Sequence, residues 1–449
     1  MKHSPRSFGT PSGFPQSIHR GMRPKSIPHM KRLAVLAAIL LWASGTWAAT
    51  KYKVLYSFQG GNDGANPVGG LTLDAAGNLY GVTANGGNEN QMCWSDFGTG
   101  CGIAFKLTPS ATSWSKSLLY TFCSQNNCAD GALPHGDLFD SGGALYGTTL
   151  YGGDCSYADG CGTAFALTPD SEGHWRHAVL YEFQGYSDAV YPDGGLVSDL
   201  KGNLYGTAGG YMLPPVGTVF VLTPHSGKWA EKVIYTFCSG CGDGGDPAAA
   251  LVRGLGGDLY GVTSYGGQDS FACPSGCGVL FKLTQNSKDE WREGVLRTLV
   301  GADGASPGTL ISDSRGSLYG TTTSDGAFGA GTVFRLTQSP TGDWKYTVLY
   351  EFRTSPVGSA LVLDTKGNLY GAGSTGGSGN CNYVGCGLIY KLAAGAHDRW
   401  KYVDLYDFTG GSDGGWPSGP LTIDKNGTLY GVAEVGGDNQ NGVVFEVTP

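Results

Sequence analysis

The sequence predicts an all-β fold, a seven-bladed β-propeller of four-stranded antiparallel blades whose N-terminal strand completes the last blade and closes the ring. Three observations carry that expectation. Leu-Tyr-Gly occurs seven times, with tyrosines at Tyr80, Tyr146, Tyr205, Tyr260, Tyr319, Tyr370 and Tyr430 and intervals of 66, 59, 55, 59, 51 and 60 residues. Each copy sits in a module of four strand-like runs. Past its apolar N-terminus, the chain opens on a fourth-type run, Lys53–Phe58, and finishes on a third-type run, Val443–Val447. A recurring module marks an array whose units bury their apolar faces against one another. Neither terminal run makes a whole blade, but joined they do, which removes two sheet edges open to aggregation. An open solenoid fits poorly, because its coils are shorter and its strands pair in parallel.

The elements follow in order. The first 48 residues hold seven basic residues and no acidic one, then the apolar run Leu33 to Trp42, then small residues with Thr46 and Ala48 at the cleavage positions. This pattern predicts a signal peptide over residues 1–48. The string from Met30 would serve as one alone, so residues 1–29 read as an upstream extension. A membrane anchor is the rival, but the apolar core is short and breaks at Ser44 and Gly45. The expected location is therefore secreted or periplasmic, with no membrane span after cleavage. Cleavage leaves 22 Lys and Arg against 37 Asp and Glu, a formal net charge of −15. Such a surface repels nucleic acid and anionic lipid.

Residues 51–449 form the propeller. In the first module the runs are Leu71–Asp74, Leu79–Thr83, Ile103–Leu107 and Leu118–Phe122, with the alternation of half-buried strands. Asp74-Ala-Ala-Gly77 between the first two suits a type I turn closed by a left-handed glycine. The turn recurs at Asp199, Asp313, Asp364 and Asp424. Trp114, Trp175, Trp229, Trp291, Trp344 and Trp400 each precede a fourth run and are read as packing between blades. With 77 glycines in fixed places and 15% charged residues, the composition is that of a turn-rich β protein, not of a helical one.

The GNLYG strings at Gly77–Gly81, Gly202–Gly206 and Gly367–Gly371, with GTVF and LTP within Gly217–Pro224, resemble the GloVer (Gloeobacter–Verrucomicrobia) tandem repeat of exported bacterial proteins. The resemblance covers residues 51–449. It implies export and a propeller-like fold but no reaction and no catalytic residues. Members often carry a C-terminal surface anchor; here Pro449 ends the last strand, which favours the free exported form, expected to be a monomer.

Loops joining second to third runs, and fourth runs to the next blade, share one face of a propeller. They vary from Gly206–Gly217 to the long insert Ala84–Gly100, while first-to-second turns stay constant, and such insertions mark a binding side. All twelve cysteines fall in these loops. An even count in an exported chain suggests disulfides, and the parsimonious pairing is within each loop: Cys93 with Cys101, Cys123 with Cys128, Cys155 with Cys161, Cys238 with Cys241, Cys273 with Cys277, and Cys381 with Cys386. Two alternatives are a zinc site of Cys238, Cys241, Cys273 and Cys277, and a redox dithiol at Cys238 and Cys241.

Asp-Gly followed by Pro leads into most blades, at Asp63, Asp130, Asp303 and Asp413, with looser forms at Asp188 and Asp243. These aspartates are either turn chemistry or a carboxylate ring at the channel mouth that binds sugar hydroxyls or a cation. No cofactor is implied beyond a calcium ion on such a ring. Trp94, Phe97, Tyr151, Tyr157, Tyr186, Tyr191, Tyr265, Phe271, Tyr383 and Trp416 offer aromatic faces in the same loops, with Trp94, Tyr151 and Trp416 the chosen ligand platforms. Among the histidines only His135 lies on the variable face, which argues against a His-rich metal centre or a Ser-His-Asp relay. The expected function is a secreted binding or scaffold module for a polysaccharide or another envelope component. A carboxylate-dependent glycan hydrolase or lyase at the channel mouth and a structural protein-binding module are the alternatives.

Overall fold

The computed structural model describes residues 50–89, 93, 99–155, 160–185, 188–209, 216–238, 242–247, 249–268, 273–354, 358–382 and 384–449. These lie in one compact unit, Ala48–Pro449. The expected signal peptide, Cys241 and the aromatics Trp94, Phe97, Tyr157, Tyr186, Phe271 and Tyr383 fall outside them.

The strands form seven antiparallel sheets, six with their strands in sequence order and the seventh ending on the first strand of the chain. Blade 1 comprises Ala65–Leu73, Leu79–Asn85, Ile103–Pro109 and Trp114–Thr121. Blade 7 comprises Gly415–Ile423, Leu429–Val435 and Val443–Thr448, and takes Lys51–Ser57 as its outer strand. Lys51 pairs with Thr448, Lys53 with Glu446 and Ser57 with Val443, so the ring is closed by the two ends of the chain.

Two boundaries differ from the sequence expectation. The inner strand of blade 1 begins at Ala65, because Pro-Val-Gly-Gly is extended backbone packed at the axis, with a register break between Val68 and Thr72. Outer strands begin at the tryptophan itself, since Trp114 pairs with Pro109 across a tight hairpin.

The core lies between blades. The phenylalanine ending each outer strand meets the third-strand aromatic of the next blade edge to face: Phe58 with Phe105 at 5.2 Å, Phe122 with Phe165 at 5.0 Å, Phe183 with Phe220 at 4.9 Å and Phe237 with Phe281 at 5.1 Å. Phe352 with Tyr390 and Phe408 with Phe445 continue the series, while Leu299 shares a cluster with Phe334. These rings explain the third letter of Leu-Tyr-Gly. A Cβ on Gly81 would lie 2.8 Å from the tip of Phe105 and 2.9 Å from Leu71, and the same collision recurs in all seven blades. The tyrosine has its own partners. Tyr80 donates to Asp74 in its own turn at 3.0 Å, and its ring lies 5.8 Å from Trp175 of the next blade. Trp114 meets Tyr430 at 6.2 Å across the closing seam. Such aromatic pairs each contribute about 0.5–1.5 kcal/mol beyond area burial, so the ring is stitched at every junction.

Candidate functional site at the channel mouth

The loop aspartates are held by the protein. Asp130 is fully buried; its Oδ2 accepts from Tyr120 Oη at 2.6 Å and from the Ser124 amide at 2.8 Å, and its Oδ1 from the Gln125 amide at 3.1 Å. Asp63, Asp188, Asp243 and Asp413 accept in the same way from Tyr56, Tyr181, Tyr235 and Tyr406, at 2.6–2.8 Å. At the next position arginine replaces tyrosine, and Arg297 donates to Asp303 through Nε and Nη2 at 2.6–3.0 Å. Each carboxylate thus ties a loop to the outer strand of the preceding blade. Among the described residues, no three of them come within metal-holding distance. The sixth junction, which lacks the aspartate, instead stacks Tyr350 on Tyr402 at 4.8 Å.

The residue before each loop proline has positive φ: Asn66, Leu133, Tyr191, Asp246, Ser306 and Trp416, at 50–55°. Side chains rarely adopt this conformation, and it persists only where the surroundings enforce it. The enforcement is a backbone clamp. Leu133 donates to Cys101 O at 2.9 Å, Tyr191 to Cys161 O at 2.9 Å, and Trp416 to Cys386 O at 2.8 Å. Tyr151 meets Tyr191 edge to face at 5.5 Å, so two of the aromatic loop residues pack on one another.

Five within-loop disulfides are present: Cys93–Cys101, Cys123–Cys128, Cys155–Cys161, Cys273–Cys277 and Cys381–Cys386. Cys238 is also disulfide-bonded. Of the four cysteines of the zinc alternative, Cys241 lies outside the described residues, Cys273 is bonded to Cys277, Cys238 Sγ lies against Asp243, and Cys273 Sγ lies against Asp325.

Toward the axis the inner strands touch backbone to backbone. A Cβ on Gly419 would lie 2.2 Å from Gly69, and one on Gly69 would lie 2.4 Å from Gly136 O. Only glycine allows that approach. Beside these contacts is a cluster that the sequence left dispersed. His135, on the inner strand Ala132–Ser141 of blade 2 and not in a loop, pairs through Nδ1 with Asp193 of blade 3. Both paired atoms are shut off from solvent, while 41% of the His135 side chain stays open. Burial alone would lower the His135 pKa; the Asp193 carboxylate outweighs it and raises the value.

Three more carboxyls adjoin. Burial pushes Asp137 up, opposed by the Gly70 amide it accepts from and by His135. Burial also raises Glu434, with Ser418 and His135 partly offsetting it, and raises Asp246, with the Asp193 charge adding. The site therefore combines an imidazole whose charged form is favoured with carboxyls whose neutral forms are favoured, a set able to exchange protons with a ligand or to hydrogen-bond hydroxyls. The usable sequence signal was a charged side chain in inner-strand slots that are small elsewhere: Asp137 stands where blades 1 and 3 carry Gly70 and Gly195.

The repeat's sequence profile matches residues 45–272 and 269–449. The chain belongs to the Gloeobacter/Verrucomicrobia repeat family. Solved structures share this repeat protein's fold. A streptogramin B lyase aligns with a TM-score of 0.52 and 12% identity, covering 89% of this chain and 97% of that one. A catalytically inactive virginiamycin B lyase from Staphylococcus aureus, solved with quinupristin, gives 0.53 and 11%, covering 89% and 99%. At such identity the likeness is one of fold alone. No curated protein matches the chain.

Proposed function

We propose that this repeat protein is a secreted or periplasmic binding or scaffold module that takes a polysaccharide or another envelope component on the face of the cysteine-rich loops. The multiple disulfides suit an oxidising compartment. Among the described residues no helix is long and apolar enough to cross a membrane. The observation that carries the reading is the pairing of His135 with Asp193 from adjacent blades, beside Asp137, Asp246 and Glu434, on the disulfide-braced side of the ring. Half-buried carboxyls around one imidazole suit sugar hydroxyls, and Trp94, Tyr151 and Trp416 are the aromatic residues assigned to the ligand.

The test is a glycan array followed by calorimetry on Asp193→Asn and Glu434→Gln. The reading requires a glycan hit whose affinity falls at least about tenfold in either variant, about 1.4 kcal/mol. A hit unaffected by both would remove the channel mouth from it. One observation favours a second reading, a carboxylate-dependent glycan hydrolase or lyase. Asp137, Asp246 and Glu434 are held toward the protonated form beside a carboxylate engaged with an imidazole, and unequal carboxyls are what acid–base cleavage of a glycosidic bond requires. Release of oligosaccharide on incubation with the bound glycan decides between them.

A further inference from the structure

Where Cys93 and Cys101 meet the loop leaving blade 1, the Sγ atoms of Cys93, Cys101, Cys123 and Cys128 all lie within 4.8 Å of one another. Cys93, Cys101 and Cys128 are fully buried, and Cys123 is half-buried. Among the described residues this is the one cysteine group so assembled. We propose that these four cysteines, once their two disulfides are reduced, form a tetrathiolate site for zinc or another soft divalent cation.

The geometry requires little movement. Zinc–sulfur bonds of about 2.3 Å in a tetrahedron place the sulfurs about 3.8 Å apart. Sulfurs now bonded would separate to that distance, and those between the pairs already lie within an ångström of it or closer.

The frame holding the sulfurs does not depend on the S–S bonds. The Cys101 amide donates to Asn88 O and its carbonyl accepts from Leu133, each at 2.9 Å. The Cys123 amide donates to Gly131 O at 2.9 Å, and Cys128 O accepts from Gly131 at 2.8 Å and from Gly153 at 3.1 Å. Cys123 and Cys128 are both fixed at positive φ, 55° and 51°. Three of the four cysteines therefore keep their places after reduction.

The chemistry balances as follows. A dithiol or phosphine reductant delivers two electrons to each disulfide, and two protons from solvent complete each pair of thiols. Binding one Zn²⁺ then releases four protons and leaves four thiolates on the metal. In a reducing compartment the metal would join the same two loops that the disulfides brace after export.

The test reduces the purified protein with a phosphine, strips it of metal and titrates Zn²⁺ against a chromophoric chelator. One zinc per chain is expected, bound at least about 100-fold more weakly by Cys93→Ser/Cys123→Ser and unchanged in Cys155→Ser/Cys161→Ser, which leaves the cluster intact. A reduced chain that keeps its β-sheet circular dichroism but takes no zinc overturns the proposal. So does equal loss of zinc in the Cys155→Ser/Cys161→Ser control. Collapse of the dichroism on reduction alone also refutes it, because the backbone would then not hold the sulfurs.

Discussion

The ammonium of Lys116 lies 2.5 Å from Oδ1 of Asp63, joining the outer strand of blade 1 to the loop that leaves blade 7. Lys116 stands two residues after its tryptophan, and the corresponding slot in other blades faces the outer strand and loop of the preceding blade. His177 fills it against Tyr120 and Asp130. Glu231 meets Asp188, and Glu293 meets Asp243. Tyr346 donates to Asp303 O at 2.9 Å, and Tyr52 donates to Asp413 O. One architectural position is thus an ion pair, a stacked neutral ring, a like-charge pair or a hydrogen bond, according to the residue it carries.

The like-charge junctions are weak points. Burial, then the neighbouring aspartate, raises Glu231 and Glu293 to about 7, and the Oε1 atom of each is buried without a hydrogen-bond partner. A folded pKa above the unfolded one means the folded state holds the extra proton. That contribution is complete below about pH 4.5 and is lost as pH rises through about 7. Glu231→Gln and Glu293→Gln should therefore each stabilise the protein at pH 8, by on the order of 1 kcal/mol after discounting for solvent screening. The gain should shrink toward pH 5, and the two should add because they sit at separate junctions. Thermal melts at both pH values check this; equal gains would point to helpful packing by glutamine instead.

His177 has the opposite pH signature. Its ring stacks 4.1 Å from Tyr120, and its Nε2 is buried without a partner. Burial lowers its pKa to about 4, only partly opposed by Asp130. The unfolded chain then binds a proton that the folded one refuses, so stability is complete above about pH 6.5 and declines as pH falls toward 4. The decline is up to about 3 kcal/mol. His177→Phe keeps a flat ring between Tyr120 and Phe165 and should flatten this slope in urea titrations across pH 4–7. An unchanged slope would move the acid sensitivity to other groups.

Why the ring was legible and its channel was not follows from where the information lies. Leu-Tyr-Gly, the tryptophans and the phenylalanines recur because every junction repeats one contact set, so Gly81, Phe105 and Leu71 announce the blade locally. The staggered termini were readable for the same reason. Inner strands were harder. In blades 3 and 4 they shrink to Val197–Ser198 and Val252–Arg253, since segments at the axis are paired on one side only and follow the packing there. The channel cluster draws His135, Asp193, Asp246 and Glu434 from four blades. No local spacing encodes such a meeting, and the loop aspartates that did carry a motif proved to be engaged by Tyr56, Tyr120 and their equivalents.

Tyr390 is the one departure from phenylalanine in the third-strand series, and its hydroxyl is buried without a partner. Phe105, Phe165, Phe220, Phe281, Phe334 and Phe445 fill that slot in the other blades. An unsatisfied buried hydroxyl costs about 1–3 kcal/mol, and removing it leaves the ring contacts unchanged. Tyr390→Phe should therefore raise the unfolding free energy by about 1 kcal/mol or more, with an unchanged m-value in denaturant titrations. Destabilisation would show that the hydroxyl has a partner, such as a bound water, that the substitution removes.

The glycine of Leu-Tyr-Gly offers a sharper test, because steric and conformational costs can be separated. A Cβ on Gly261 would lie 2.4 Å from the tip of Phe281 and 2.9 Å from Leu251, and Gly261 has no positive φ to lose. Gly202, in a first-to-second turn, has φ +85° and nothing within 4 Å of the added carbon. Both Gly→Ala variants should destabilise, Gly261→Ala by about 1–3 kcal/mol through overpacking and Gly202→Ala through backbone strain alone. Shortening the opposing ring distinguishes them. Phe281→Leu should recover part of the loss in Gly261→Ala and none in Gly202→Ala, giving a coupling energy of at least about 0.5 kcal/mol in one double-mutant cycle and near zero in the other. Equal coupling in both cycles would mean that Phe281 does not select the glycine, and that the most regular feature of the sequence has another cause.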